Sequence, residues 1–270
     1  MVGCSSWNRI QPTTGVDPEM KKALTFVICT LGILVARDTA AQPLPWTERG
    51  YFNLNVGFGS ASDDFSDTGT RPIYLENATL STAQSIDSGA FFDFSAGARV
   101  WRNVSVGIGF HQGSTDGDAT IEGGVPHPLV FGRPRAFNAT ATNLERSERA
   151  VHVQLGYMII VSDRLTAHAM LGPSFFKVRQ DVISDFTFTE GPGFTSVTAT
   201  PTVEERVDSP VGFNIGVDLA YKIVDANTVK VGAGLLLRYA AAKAEIQLLQ
   251  NTVETDLGGF QVGVGARLRF

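Results

Sequence analysis

The sequence predicts an all-β fold, an eight-stranded antiparallel up-and-down transmembrane β-barrel, with ten strands as the alternative count. Three observations predict it. Apolar residues recur at every second position in eight separate segments. The links between those segments alternate between very short and long. Every charged residue within the segments falls on the face opposite the apolar one. A period of two marks a strand with two unlike faces, because successive side chains point to opposite sides.

The first segment sets Phe52, Leu54, Val56 and Phe58 against Asn53, Asn55, Gly57 and Gly59. The second carries Phe92, Phe94, Ala96, Ala98 and Val100, and the third Val104, Val106, Ile108 and Phe110. The same alternation marks residues 151–159, 165–171, 211–221 and 229–237, and it ends in Phe260, Val262, Val264, Ala266, Leu268 and Phe270. Residues 101–103, 162–164 and 224–228 are tight links, whereas 61–88, 119–144, 183–205 and 241–257 are long, polar and expected as loops. Short turns at one end and long loops at the other suit a barrel crossing an outer membrane, with both chain ends on the short-turn side. The last segment alone supplies the roughly 9–11 tilted residues that a membrane strand needs.

Charge parity is an independent test. Asp93, Arg99, Asp218, Lys222, Lys230, Arg238, Arg267 and Arg269 all take the polar parity. Chance would do this about once in 250 trials, given the strict alternation of strand side chains. An arginine facing lipid at the bilayer midplane costs about 2–4 kcal/mol, so this face is expected to line the interior. His152 and His168 share it and are expected to join those charges in an interior polar network. His111 is expected at the outer end of its strand. Inward glycines such as Gly107 are expected to make room for long neighbours. Tyr51, Trp101, Tyr157, Tyr221 and Tyr239 lie near segment ends, where an interfacial girdle would want them.

Composition excludes other classes. The 270 residues are 43% hydrophobic and 18% charged, with no apolar run long enough for a membrane-spanning helix. A net charge of −5 argues against a nucleic-acid partner held by phosphate contacts. Both cysteines, Cys4 and Cys29, lie near the N-terminus, so the rest of the chain is expected to hold together without disulfides. Lys21 and Lys22 precede an apolar stretch from Ala23 to Ala36, and small residues then suit cleavage before Gln42. Residues 20–41 are therefore read as a signal peptide, residues 1–19 as an over-called leader, and 42–270 as the barrel.

Two stretches carry a resemblance. The run Gly97-Ala-Arg-Val-Trp-Arg-Asn-Val-Ser-Val-Gly-Ile-Gly109 and the final strand from Gly259 to the terminal Phe270 resemble the outer membrane protein beta-barrel domain family, small OmpA-type bacterial barrels. The resemblance covers most of residues 50–270. It implies a place in the bacterial outer membrane, with outer-membrane lipids and lipopolysaccharide as surroundings. It also implies an assembly signal, Phe260, Val262, Val264, Ala266, Leu268 and Phe270, read by the barrel assembly machinery. An anchor with a further periplasmic domain after Phe270 is not expected.

No nucleophile motif, metal cluster or cofactor loop emerges, so no catalytic, cofactor-binding or metal residue is expected. The segment from Val125 to Phe137 is proline-rich with several apolar side chains. It is expected to fold over the barrel mouth and bury them; the alternative is that it grips a partner. His127, Phe131, Arg133 and Arg135 are the candidate contacts there. Acids in the long links, such as Glu122, Glu190, Glu204 and Glu254, suggest an acidic outer rim, and Arg146 or Arg149 could meet lipopolysaccharide phosphates. The expected function is a non-enzymatic outer-membrane barrel presenting extracellular loops to an unknown ligand, for surface interaction or envelope integrity. A small lipid-modifying enzyme and a narrow solute channel are the alternatives.

Overall fold

The computed structural model describes residues 45–60, 63–226, 228–248 and 251–270. The expected leader and signal peptide lie outside the described residues. Eleven strands follow in order: β1 (Gly50–Gly59), β2 (Asp63–Ile73), β3 (Glu76–Ile86), β4 (Gly89–Trp101), β5 (Val104–Val125), β6 (Arg135–Ile160), β7 (Leu165–Glu190), β8 (Val197–Asp208), β9 (Val211–Ala226), β10 (Val229–Gln247) and β11 (Thr252–Arg269). Eight of them, β1, β4, β5, β6, β7, β9, β10 and β11, close an antiparallel ring in which β11 returns to pair with β1. These are the eight strands the alternation predicts.

The long links are not loops, which corrects the expectation. Residues 61–88 hold the β2–β3 hairpin, which docks on the upper part of β5 from Gly117 to Gly124. β5 and β6 stay paired up to Val125 and Arg135, and β10 and β11 up to Gln247 and Thr252. β8 lies along the upper half of β7. The wall thus continues far beyond what a bilayer requires.

Along β5 the parity never changes but the chemistry inverts. Ser105, Gly107 and His111 face inward at membrane level while Val106, Ile108 and Phe110 face out; above them Ala119, Ile121 and Val125 face in while Ser114, Asp116, Asp118 and Thr120 face out. The cause is a change of outer solvent from lipid to water. In lipid the apolar face must point outward, and in water it must point inward. The extension accordingly has an apolar core: Leu80, Ile121, Val125, Phe137, Ile183 and Phe186 form one cluster. Phe176, Val178, Ala240, Ala242 and Leu257 form another where the extension meets the barrel.

At the short-turn end, Trp46 and Met158 pack with Tyr51. Tyr51 points inward and is buried, so it is not part of the outer aromatic girdle. Trp101, Tyr157 and Tyr221 do face outward. Trp46 is pinned by its amide donating to Asn103 Oδ1 at 3.2 Å, and Arg99 donates to its carbonyl. Gly107 is needed here, because a Cβ at that position would run into the Tyr51 hydroxyl.

A change of charge on the outer wall should therefore depend on height. Leu235→Arg, in the middle of the lipid belt, is expected to lower folding stability by about 2–4 kcal/mol, whereas Thr120→Arg, facing water on the extension, should stay within about 0.5 kcal/mol. Urea unfolding in lipid vesicles, followed by the heat-modifiable gel shift, measures both. Equal costs would place the lipid belt wrongly.

Candidate functional site

The interior at membrane level is filled by two ion clusters and two histidine–serine pairs. Arg238 donates to Asp93 Oδ2 and to Gln261 Oε1, each at 2.7 Å, and lies 3.1 Å from His111 Nδ1. Asn55 donates to the other Asp93 oxygen at 3.1 Å. Below them Asp218 accepts from Arg267 at 2.7 Å and from Arg269 at 3.5 Å, and Arg269 also donates to Asn53 at 2.5 Å. Pairing at both carboxylates is what makes such charges tolerable away from water. Gly234 opens the space for Arg267, whose guanidinium a Cβ there would meet.

His168 Nε2 lies 2.9 Å from Ser105 Oγ, and His152 Nδ1 lies 2.7 Å from Ser174 Oγ. Asn214 adds a donor to Ser174 at 2.9 Å. All these side chains are buried within the wall.

Not every expected member lies in this network. Lys222 pairs with Asp225 and Lys230 with Glu48 at the short-turn end, and Arg99 holds the Trp46 carbonyl. His111, expected at the outer end of its strand, is a buried partner of Arg238, a position that its parity with Gly107 and Gly109 signals. Arg146 is buried and paired with Glu148 on its own strand, so it cannot reach lipopolysaccharide phosphates, whereas Arg149 is exposed. Phe260, Val262, Val264, Ala266, Leu268 and Phe270 all face outward from β11.

The far end of the extension is built from three turns. The β2–β3 turn presents Tyr74 and Leu75, the β5–β6 loop presents Leu129, Val130 and Phe131, and the β7–β8 turn presents Phe194. Leu75 is 102% exposed, Phe131 84% and Leu129 76%. The Val125–Phe137 segment therefore splits: Val125 and Phe137 enter the core, but Leu129, Val130 and Phe131 project into solvent, which corrects the expectation that they are buried.

Buried charge ties the turns together. Arg135, a candidate contact, is sequestered: it pairs with both carboxylate oxygens of Glu190, one at 2.9 Å, and donates to the Pro126 and Phe194 carbonyls. Tyr74 Oη donates to Glu190 at 3.1 Å, and the Gly132 amide donates to Glu76 at 3.0 Å. His127 accepts from the Leu129 amide at 3.1 Å and lies 6.3 Å from the Phe194 ring. Arg133 is exposed, with no ion pair among the described residues. The acidic rim is thinned at the tip: residues 74–75, 129–134 and 191–196 carry Arg133 alone, and the flanking acids Glu76 and Glu190 are engaged by the Gly132 amide and by Arg135. Acids such as Glu122 lie lower on the outer wall, beside an open trough of about 810 Å³ that Thr68, Thr79, Ser81 and Asn138 also line.

The β2–β3 turn has two consecutive bulky residues in left-handed backbone, where Arg102, Asn143 and Phe194 are single instances elsewhere. Tyr74 and Leu75 have φ of 52° and 67°, the left-handed region that two-residue hairpin turns normally fill with Asn and Gly. Bulky residues there cost about 1–3 kcal/mol each. Leu75 makes no packing return on that cost, since its side chain is fully in solvent. Sequence reasoning missed this turn because Ile73-Tyr74-Leu75-Glu76 contains no turn-forming residue.

Closed strand pairing, an outward lipid belt, a charge-paired interior and a water-facing extension define a bacterial outer-membrane β-barrel of eight strands. The chain belongs to the family described as outer membrane protein beta-barrel domain, which it matches over residues 27–270. No curated protein matches it. Among solved structures it is similar to OprG from Pseudomonas aeruginosa, at 12% identity and a TM-score of 0.41, covering 83% of this chain and 97% of that one. It is also similar to Neisserial surface protein A, at 11% identity and a TM-score of 0.37, covering 82% of this chain and 97% of that one. A third similarity is to Ail, the attachment invasion locus protein of Yersinia pestis, solved with the heparin analogue sucrose octasulfate: 12% identity, a TM-score of 0.30, 81% of this chain and 99% of that one.

Two outcomes follow from these ion pairs. Asp218→Asn leaves Arg267 and Arg269 without their shared carboxylate and should cost about 3–5 kcal/mol in vesicle unfolding; a cost below about 1 kcal/mol would show that the pair is dispensable. At the tip, the hydrogen bonds from Arg135 hold the Glu190 carboxyl below the ordinary carboxylate range. A carboxyl lowered on folding stabilises above its ordinary pKa and loses that contribution as pH falls through its folded value. The three turns should therefore stay joined at neutral pH and loosen in acid. NMR shifts of the Gly191–Ser196 amides should report this, and Glu190→Gln should show the loosened spectrum already at neutral pH.

Proposed function

We propose that this protein is a non-enzymatic display barrel: the membrane ring anchors a rigid β-structured stalk whose three-turn tip makes contact outside the cell. The observation that carries this reading is Leu75, fully exposed in a left-handed backbone position that favours glycine. Folding gains no packing from leucine there, which points to a contact outside the chain. The ties through Arg135, Glu190, Tyr74 and Glu76 pre-organise the turns, which lowers the ordering cost of binding.

The interior supports this reading over the alternatives. An eight-stranded ring is only about wide enough for side chains to fill, and here paired ions and apolar clusters occupy it from Trp46 to Ile183, which disfavours a solute channel. His168 and His152 each hold a serine, but the other ring nitrogen of each has no hydrogen-bond partner among the described residues, and both pairs lie inside the wall, out of reach of lipid acyl chains. A hydrolytic site would need a third group to orient the histidine and a path for substrate. The outward face of β11, ending in Phe270, is read in the same way as the surface that the barrel assembly machinery engages.

Cells displaying the protein should attach to a target surface through the tip. Replacing residues 129–133 by glycine and serine should abolish attachment while the heat-modifiable fold persists. Attachment that survives this swap but is lost in Asp93→Asn or His152→Ala would move the function to the interior and overturn the reading.

A further inference from the structure

We infer that the tip docks on a phospholipid bilayer other than the one that holds the barrel, with Leu75, Leu129 and Phe131 entering its acyl boundary and Arg133 meeting an anionic headgroup. This rests on the tip being the contact surface and names what it contacts.

Reach comes first. The part of β6 from Arg135 to Ala150 lies above the lipid belt, and at about 3.3 Å per residue with a tilt near 40° it lifts the tip roughly 40 Å from its own membrane. Strand pairing that resumes after one register shift and runs on to Val125 and Arg135 keeps the tip from folding back to that surface.

The form of the apolar surface comes second. Leu75 projects from one turn, and Leu129 and Phe131 flank Val130 on a second. A folded protein partner would need a matching pocket for each knob and hydrogen-bond partners around them. The tip supplies few: Glu190 and Glu76 are occupied within the protein. A fluid bilayer accepts separate knobs without preformed pockets, and apolar residues beside a cation on a rigid support are how proteins seat themselves about 5–10 Å into a membrane interface.

Charge comes third. Arg133 is the exposed cation of the tip, whereas the two tip carboxylates are occupied within the protein, Glu190 by Arg135 and Glu76 by the Gly132 amide. An exposed cation that has no ion pair among the described residues, set among apolar side chains, complements an anionic lipid surface. A membrane also explains why strain persists at Tyr74 and Leu75: Asn-Gly would build a better turn but would remove both side chains from the interface.

The full barrel in phosphatidylcholine nanodiscs, mixed with phosphatidylcholine–phosphatidylserine vesicles, tests this by flotation. The wild type should float with the vesicles. A Phe131→Trp variant should show blue-shifted emission that brominated acyl chains quench. Leu75→Gly, Leu129→Ser and Phe131→Ser combined should weaken binding on the order of a hundredfold, given the apolar area withdrawn. Arg133→Gln should lower affinity several-fold for vesicles with phosphatidylserine and leave phosphatidylcholine vesicles unaffected. All four positions are exposed, and Leu75→Gly relieves the strained backbone, so the variants fold; the heat-modifiable shift verifies it. Failure of the wild type to float, or equal flotation of the triple variant, overturns the inference. If cells still attach through the tip while vesicles do not bind, the partner is a protein or glycan and only the lipid assignment falls. If tip variants attach as well as the wild type, the display reading falls with it.

Discussion

Backbone amides inside a bilayer have no water to turn to, so a sheet that enters lipid must close on itself. Here β11 closes the ring by pairing with β1 from Tyr51–Arg269 to Gly59–Gln261, and the Gly50 amide reaches the carbonyl of Phe270 at 2.8 Å. The remaining features follow from that closure. Eight strands enclose a narrow interior, the parity that turns Phe52, Val56 and Val264 toward lipid turns Asn53, Asn55 and Arg267 inward, and those polar groups must satisfy one another. Asp93 with Arg238, and Asp218 with Arg267 and Arg269, do so.

The same parity carried past the membrane produces a second body with its polarity reversed. On β5 only the residue chemistry on each face switches, whereas β6 makes the change across a register shift at Asn143, where its inward residues pass from Leu144 and Arg146 to Ala141 and Phe137. A tall wall of paired strands with an apolar filling is stiff in a way that free loops are not. The mouth of the barrel is consequently a folded structure with its own core, and its contact surface is reduced to the turns at the top.

At those turns the usual preferences are set aside. Tyrosine and leucine occupy backbone that suits asparagine and glycine, large apolar side chains stand in water, and the one strong ion pair, Arg135 with Glu190, is spent on holding turns together rather than on meeting a partner. Local departures of this kind in an otherwise self-consistent fold mark where function constrains the sequence.

The sequence by itself determined the eight membrane strands, their parity and the short-turn end, because a lipid solvent forces a strong contrast between Val, Ile, Leu or Phe on one face and Asn, Gly or charge on the other. It left β2, β3, β8 and the upper halves of β5, β6 and β7 unread. There the outer solvent is water, the inner face is often alanine or threonine, and the alternation fades into what reads as polar loop. Parity also carried His111 into view, had it been followed one residue past Phe110. Tertiary structure decided the rest. Which inward charges pair depends on strands far apart in the chain, as with Asp93 and Arg238 or Asp218 and Arg267. The tip exists only because turns separated by more than a hundred residues, at Tyr74 and Glu190, are brought within one hydrogen bond of each other. No local pattern encodes that meeting, since it follows from how the extension packs Leu80, Phe137 and Phe186 into one core.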